Sequence, residues 1–142
     1  MPDENNDKTA EMESLQYLNQ IYGDRYSAIT AEIRSVIDEI GDLNRSLETL
    51  SNFDSVKGKR MLTMAGRSLF VYAIAEPEEK VLVEVGGGYL IEKSIEEGKQ
   101  FLSTSIESKN KYLNSLTVEK EKLENALLEI SYKLSQEQDS YV

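Results

Sequence analysis

The chain has 142 residues, 30% of them charged and 39% hydrophobic, with a formal net charge of −10 and no cysteine, histidine or tryptophan. Without Cys or His there is no zinc site of the usual kind, no thiol nucleophile and no imidazole base. The acidic balance opposes nucleic-acid binding, which relies on Lys and Arg displacing counterions from phosphates.

The start, MPDENNDKTAEMES, is polar and acidic, so no secretory signal is expected. The lack of cysteine fits a reducing cytoplasm. No apolar run reaches the roughly 18 residues that a membrane span needs, so no membrane association is expected. Residues 1–9 are predicted to be a disordered tail. Residues 10–53 carry an apolar stripe through Leu15, Leu18, Tyr22, Tyr26, Ile29, Ile33, Val36, Ile40, Leu43, Leu47 and Leu50. From Tyr26 the spacings alternate three and four, which predicts a coiled-coil helix. At Tyr22 two four-residue steps follow each other, beside Gly23 and Asp24. Such a phase shift unwinds the supercoil locally, so looser packing is expected from there outward.

The run from Ser51 to Gly58 breaks the helix. Residues 59–93 then read as two tandem β-hairpins. Their strands are predicted at Leu62 to Met64, Leu69 to Ile74, Val81 to Val85 and Tyr89 to Lys93. Gly86-Gly87-Gly88 lacks the Gly-Lys-Ser/Thr ending of a phosphate loop and leads into a strand, so it is assigned to a turn. Glu76-Pro77-Glu78-Glu79 is a solvated connector. Ser94 and Glu97 form a capping box that starts a second helix at Ile95. That helix, residues 95–137, carries a matching stripe interrupted by Lys109 and Lys120, and polar interruptions of this kind set register. Residues 138–142 are a tail.

The two helices have roughly 40 residues each, on the order of 60 Å. Equal length and matching stripes predict that they pair antiparallel. The fold class is therefore α+β: a long antiparallel helical coiled coil with two β-hairpins at its base. Those hairpins have apolar residues on both faces and open edges, which a small sheet cannot satisfy alone. Leu69, Phe70, Val71, Tyr72, Ile74, Val81, Val83, Val85, Leu90 and Ile91 are the candidate oligomerisation residues, and joining hairpins from other subunits would close an oligomeric β-barrel.

The order coil, two hairpins, coil resembles the alpha-class subunit of prefoldin over nearly the whole chain. The most specific stretch is KVLVEVGGGYLIEKSIEEG, residues 80–98, which is similar to the family's K-V-x-V-x-V-G-x-G-x-x-x-E-K and the acidic helix start after it. The departure is Met64-Ala65-Gly66-Arg67-Ser68, where the family often has a Pro-Leu-Gly-like turn. The resemblance implies an ATP-independent chaperone, a holdase. It also implies a heterohexamer of two alpha and four beta-type subunits, unfolded client proteins, and a group II chaperonin that receives them.

A holdase must expose apolar surface that its own fold leaves uncovered. The candidate client-binding residues are Met12, Leu15, Leu18, Ile21 and Tyr22 at one helix end and Leu127, Ile130 and Leu134 at the other, with Tyr132 and Tyr141 nearby. The competing role for each is to close the coil upon itself, most of all for Leu18, Leu127 and Ile130. No catalytic residue, cofactor or metal ligand is proposed, because no sequence feature builds a pocket that would shift a carboxylate pKa. The alternative function is a structural coiled-coil scaffold or spacer assembled through the hairpins.

Overall fold

The structure, a computed structural model, describes residues 3–77 and 79–139. The elements are α1 (Asp3–Ser51), α2 (Phe53–Val56), β1 (Arg60–Gly66), β2 (Leu69–Ile74), β3 (Lys80–Gly86), β4 (Tyr89–Ser94) and α3 (Ile95–Asp139). Glu78 of the connector, the ends of both expected tails and Tyr141 lie outside the described residues. Helix α1 starts at Asp3, within the segment expected to be a tail. Glu4 and Asp7 place negative charge at the positive end of the helix dipole, which favours an early start. Gly23 and Asp24 do not interrupt the helix.

The described residues group into two units. One holds residues 39–110 and is called the hairpin unit; the other holds the remaining parts of α1 and α3 and is called the coil unit.

In the hairpin unit, β1 pairs antiparallel with β2 and β3 with β4, as two separate two-stranded sheets. Both sheets have the same build. In each, the register shifts just before the turn, between Met64 and Gly66 in one and between Glu84 and Gly86 in the other. The second hairpin turns through Gly87 (φ 61°) and Gly88 (φ 79°), and positive φ at both central positions matches the twist of the flanking strands. The triplet is a turn, as its sequence context predicts.

Helix α3 begins with the expected capping box. The Glu97 amide donates to Ser94 Oγ at 3.1 Å, and the Ser94 amide donates to Glu97 Oε2 at 3.4 Å. The core of this unit is small: Leu50, Val83 and Leu102 are buried. Gly98 lets the elements meet closely, since a Cβ there would lie 3.0 Å from Val81 and 3.1 Å from Leu50. One face of the second hairpin thus rests on the end of α1 and the start of α3. Lys93, opposite Val81 in the register, extends the contact, its Nζ 5.8 Å from the Phe101 ring.

In the coil unit, α1 and α3 run antiparallel. Arg25 donates to Glu119 at 3.1 Å, Tyr26 donates to Glu124 at 2.8 Å, and Tyr112 donates to Glu32, so rising numbers on one helix meet falling numbers on the other. Ile29, Val36, Leu116 and Ile130 are buried between the helices, with Ile29 fully covered. Burial weakens past the phase shift: Leu18 and Ile21 are 37% and 41% exposed.

Candidate functional site

Two apolar surfaces remain uncovered. The first is on the hairpins. Register puts Leu62 opposite Tyr72, Met64 opposite Phe70 and Arg60 opposite Ile74, so these six side chains share one face. Leu62, Met64, Phe70, Tyr72 and Ile74 are all more than half exposed. Arg60 stacks on Tyr72, 3.6 Å from the ring centroid. Leu69 and Val71, on the other face of this hairpin, are also exposed. On the second hairpin the uncovered face carries Leu82 and Leu90, and Val85 and Ile91 are exposed beyond the part that rests on the helices.

Most of the expected oligomerisation residues are therefore open. The exceptions are on β3. Val83 is buried at 7% exposure and Val81 is half-buried, because both sit on the helices of the same chain and line an apolar groove with Leu43, Leu50 and Leu102. Val83 is a core residue, not a surface for a partner. Sequence reasoning missed Leu62, Met64 and Leu82. The alternation of β1 contains the signal, since Leu62 and Met64 flank Thr63, and the register places them opposite Tyr72 and Phe70.

The second surface is at the free ends of α1 and α3 in the coil unit. Lys8, Glu11 and Leu15 line a shallow cleft with Lys133, Gln136 and Glu137, so the two ends lie side by side. Met12, Leu15, Tyr22, Leu127 and Leu134 are half-buried, and Leu18 and Ile21 are exposed. Ile130 is buried at 6% exposure. It lies in the seam between the helices and closes the coil, which removes it from the client-facing set. The most exposed apolar side chains here are off the stripe: Tyr17 at 65%, Leu128 at 69% and Tyr132 at 64%. Only Tyr132 had been singled out from the sequence.

Polar side chains tie the seam. Lys109 pairs with Glu39 in the hairpin unit. In the coil unit, Lys120 stands 5.5 Å from the centroid of the Tyr26 ring. Both lysines that interrupt the stripe thus have partners across it. The Tyr26 phenol is held above its ordinary value of 10.0, chiefly by its hydrogen bond to the Glu124 carboxylate. Tyr112 is raised in the same way by Glu32. A phenol raised on folding stabilises fully below the unfolded value, and this contribution is lost as pH rises through the folded value. The helical melting temperature is therefore expected to fall as pH climbs above about 10. Circular dichroism melts should show a shallower fall for the Tyr26→Phe, Tyr112→Phe double variant; an identical fall would remove these bonds as the cause.

Among the described residues no cluster of acids is placed to hold a metal ion. Among the described residues no helix is long and apolar enough to cross a membrane.

Residues 22–140 match the prefoldin family, described as prefoldin subunit. The chain belongs to the prefoldin family. It is 31% identical over 93 residues to prefoldin subunit alpha of Methanocorpusculum labreanum, covering 65% of this chain and 63% of that one. It is 33% identical over 85 residues to prefoldin subunit alpha of Methanothrix thermoacetophila, covering 54% and 56%. Prefoldin subunit 5 of Arabidopsis thaliana is 40% identical over 50 residues, covering 35% and 33%. The matched region thus spans less than two thirds of these relatives' length. Among solved structures, filamentous PFD from Methanocaldococcus jannaschii superposes with a TM-score of 0.58 at 26% identity, covering 83% of this chain and 93% of that one. Long helices with two small antiparallel hairpins are thus the prefoldin fold. Prefoldins are chaperones whose subunits form oligomeric complexes with other prefoldin subunits.

Proposed function

We propose that this chain is the alpha-type subunit of an ATP-independent, cytoplasmic holdase. Two copies and four beta-type prefoldin subunits join their hairpins into an oligomeric β-barrel. The free coil ends capture unfolded proteins and deliver them to a group II chaperonin. The observation that carries this reading is apolar surface at the coil ends, Leu18, Ile21, Leu128 and Tyr132 above all, on a chain of the prefoldin family. Exposed apolar side chains grouped at one place mark an interaction surface. Half-buried Met12 adds a flexible, polarisable side chain suited to varied partners.

A second reading, a coiled-coil scaffold, is favoured by the closed seam through Leu116 and Ile130 and by the filamentous assembly named for the solved relative. Light scattering separates the two. The assembled complex is expected to suppress aggregation of a denatured protein without ATP. Replacing Leu18, Ile21, Leu128 and Tyr132 together with serine should abolish suppression and leave assembly intact, since all four are exposed. No suppression by the intact complex would overturn the holdase and favour the scaffold.

A further inference from the structure

Leu128 and Tyr132 lie one turn apart on the same face of α3, pointing away from the seam occupied by Ile130. Beside them Tyr26, Glu124, Leu127, Leu128 and Ser131 line a shallow groove of about 340 Å³. Its floor is leucine. Its wall is the Tyr26 phenol bonded to the Glu124 carboxylate. The same ring already has the Lys120 ammonium near its face, so it is a surface that takes cations.

The coil ends are acidic overall, although Glu129, between Leu128 and Tyr132, is paired with Lys133 at 3.3 Å. Residues 3–22 and 124–139 hold nine Asp and Glu and two Lys, which is seven of the chain's ten net negative charges. The remaining stretches of the coil unit, residues 23–38 and 111–123, hold five acids and five bases and are neutral. Net charge is thus concentrated at the apolar ends and nearly nowhere else in the coil.

We propose that this face receives an extended stretch of unfolded polypeptide in which apolar residues are flanked by lysine or arginine, so that the chain selects cationic clients. This rests on the holdase reading above. Side chains two apart on an extended strand are separated by about 6.6 Å. Residues four apart on a helix surface are about 5–6 Å apart, so one such pair fits over Leu128 and Tyr132. The flanking cations then meet Glu124 and the acids around it. A second copy of the same surface is a poor occupant, because like charges face each other across it. Nucleic acid is excluded for the same reason.

The test uses the full chain assembled with its beta-type partner and two fluorescent unfolded peptides of equal apolar content. One carries lysines at the flanking positions, the other glutamates. Anisotropy should show the lysine peptide bound about tenfold tighter at low salt, and the gap should close at about 0.5 M salt as the charges are screened. The Leu128→Ser, Tyr132→Ser variant should lose about tenfold for the lysine peptide, with helicity and assembly unchanged because both side chains are exposed. Equal affinity for the two peptides at low salt overturns the selectivity, as does a double variant that binds like the parent. If aggregation is still suppressed in either case, the holdase reading survives. If neither peptide binds and aggregation is not suppressed, both fail.

Discussion

Replacing Phe70 and Tyr72 together with aspartate is expected to abolish assembly while leaving the helical circular dichroism of the chain unchanged. Both residues lie on the uncovered hairpin face, 55% and 67% exposed, and neither is part of the chain's own core. In the single chain the substitutions therefore cost little. In the proposed complex the same positions would be covered, and burying a large apolar side chain there contributes about 1.5–3 kcal/mol. Aspartate forfeits that contribution and forces a carboxylate out of water, which costs several kcal/mol more when it has no partner. Tyr72→Asp also removes the ring on which Arg60 stacks. Sedimentation of mixtures with a beta-type subunit reads the result directly. Complexes of normal mass from the double variant would mean that this face is not the interface.

Ile29→Ala is expected to destabilise the coil by about 2–5 kcal/mol, the range for truncating a fully buried aliphatic side chain. Ile29 has no exposure at all, which no other large side chain of the described residues matches. It sits between the polar pairs Arg25–Glu119 and Tyr112–Glu32, which hold the two helices at that level and limit their collapse into the space left behind. The effect should therefore fall toward the upper part of the range. Denaturant melts followed by helicity measure it. Ile21→Ala is the control, since Ile21 is 41% exposed beyond the phase shift and should cost far less. Equal losses at the two positions would contradict the seam as described.

Local signals in the sequence were strong wherever one rule acted alone. The capping pair Ser94 and Glu97 marked the start of α3 to the residue, and the alternating run Leu69 to Ile74 is β2 as drawn. The heptad stripe found Ile29, Val36 and Leu116 because a seam buried by one neighbour has a period. The hairpins were harder. On β3 Val81, Val83 and Val85 share one face and Lys80, Leu82 and Glu84 the other, so alternation marks the apolar face but not whether this chain or a partner covers it. That choice is made by distant residues: Gly98 brings α3 close to Val81, and the Ile95 amide donates to the Glu79 carbonyl at 3.2 Å, fixing where β3 begins. At the coil ends a periodic reading favours the stripe. It placed Ile130 among the client-facing residues, although a stripe is what a coil closes, and it passed over Leu128 because that residue is off the stripe. Apolar residues that break the period near a helix end are the better sign of a surface left open.

Everything in this account depends on strand edges and an apolar hairpin face that one chain leaves unsatisfied. Among the described residues each sheet has only two strands, and an isolated pair is marginal in water. Hydrogen exchange of the hairpin amides, in the chain alone and in the complex with a beta-type subunit, tests this most directly. Fast exchange is expected at the outer edges of β1 to β4 in the isolated chain, with protection rising at least about a hundredfold on assembly. Hairpin amides already protected in a stable monomer, and unchanged by the partner, would contradict it.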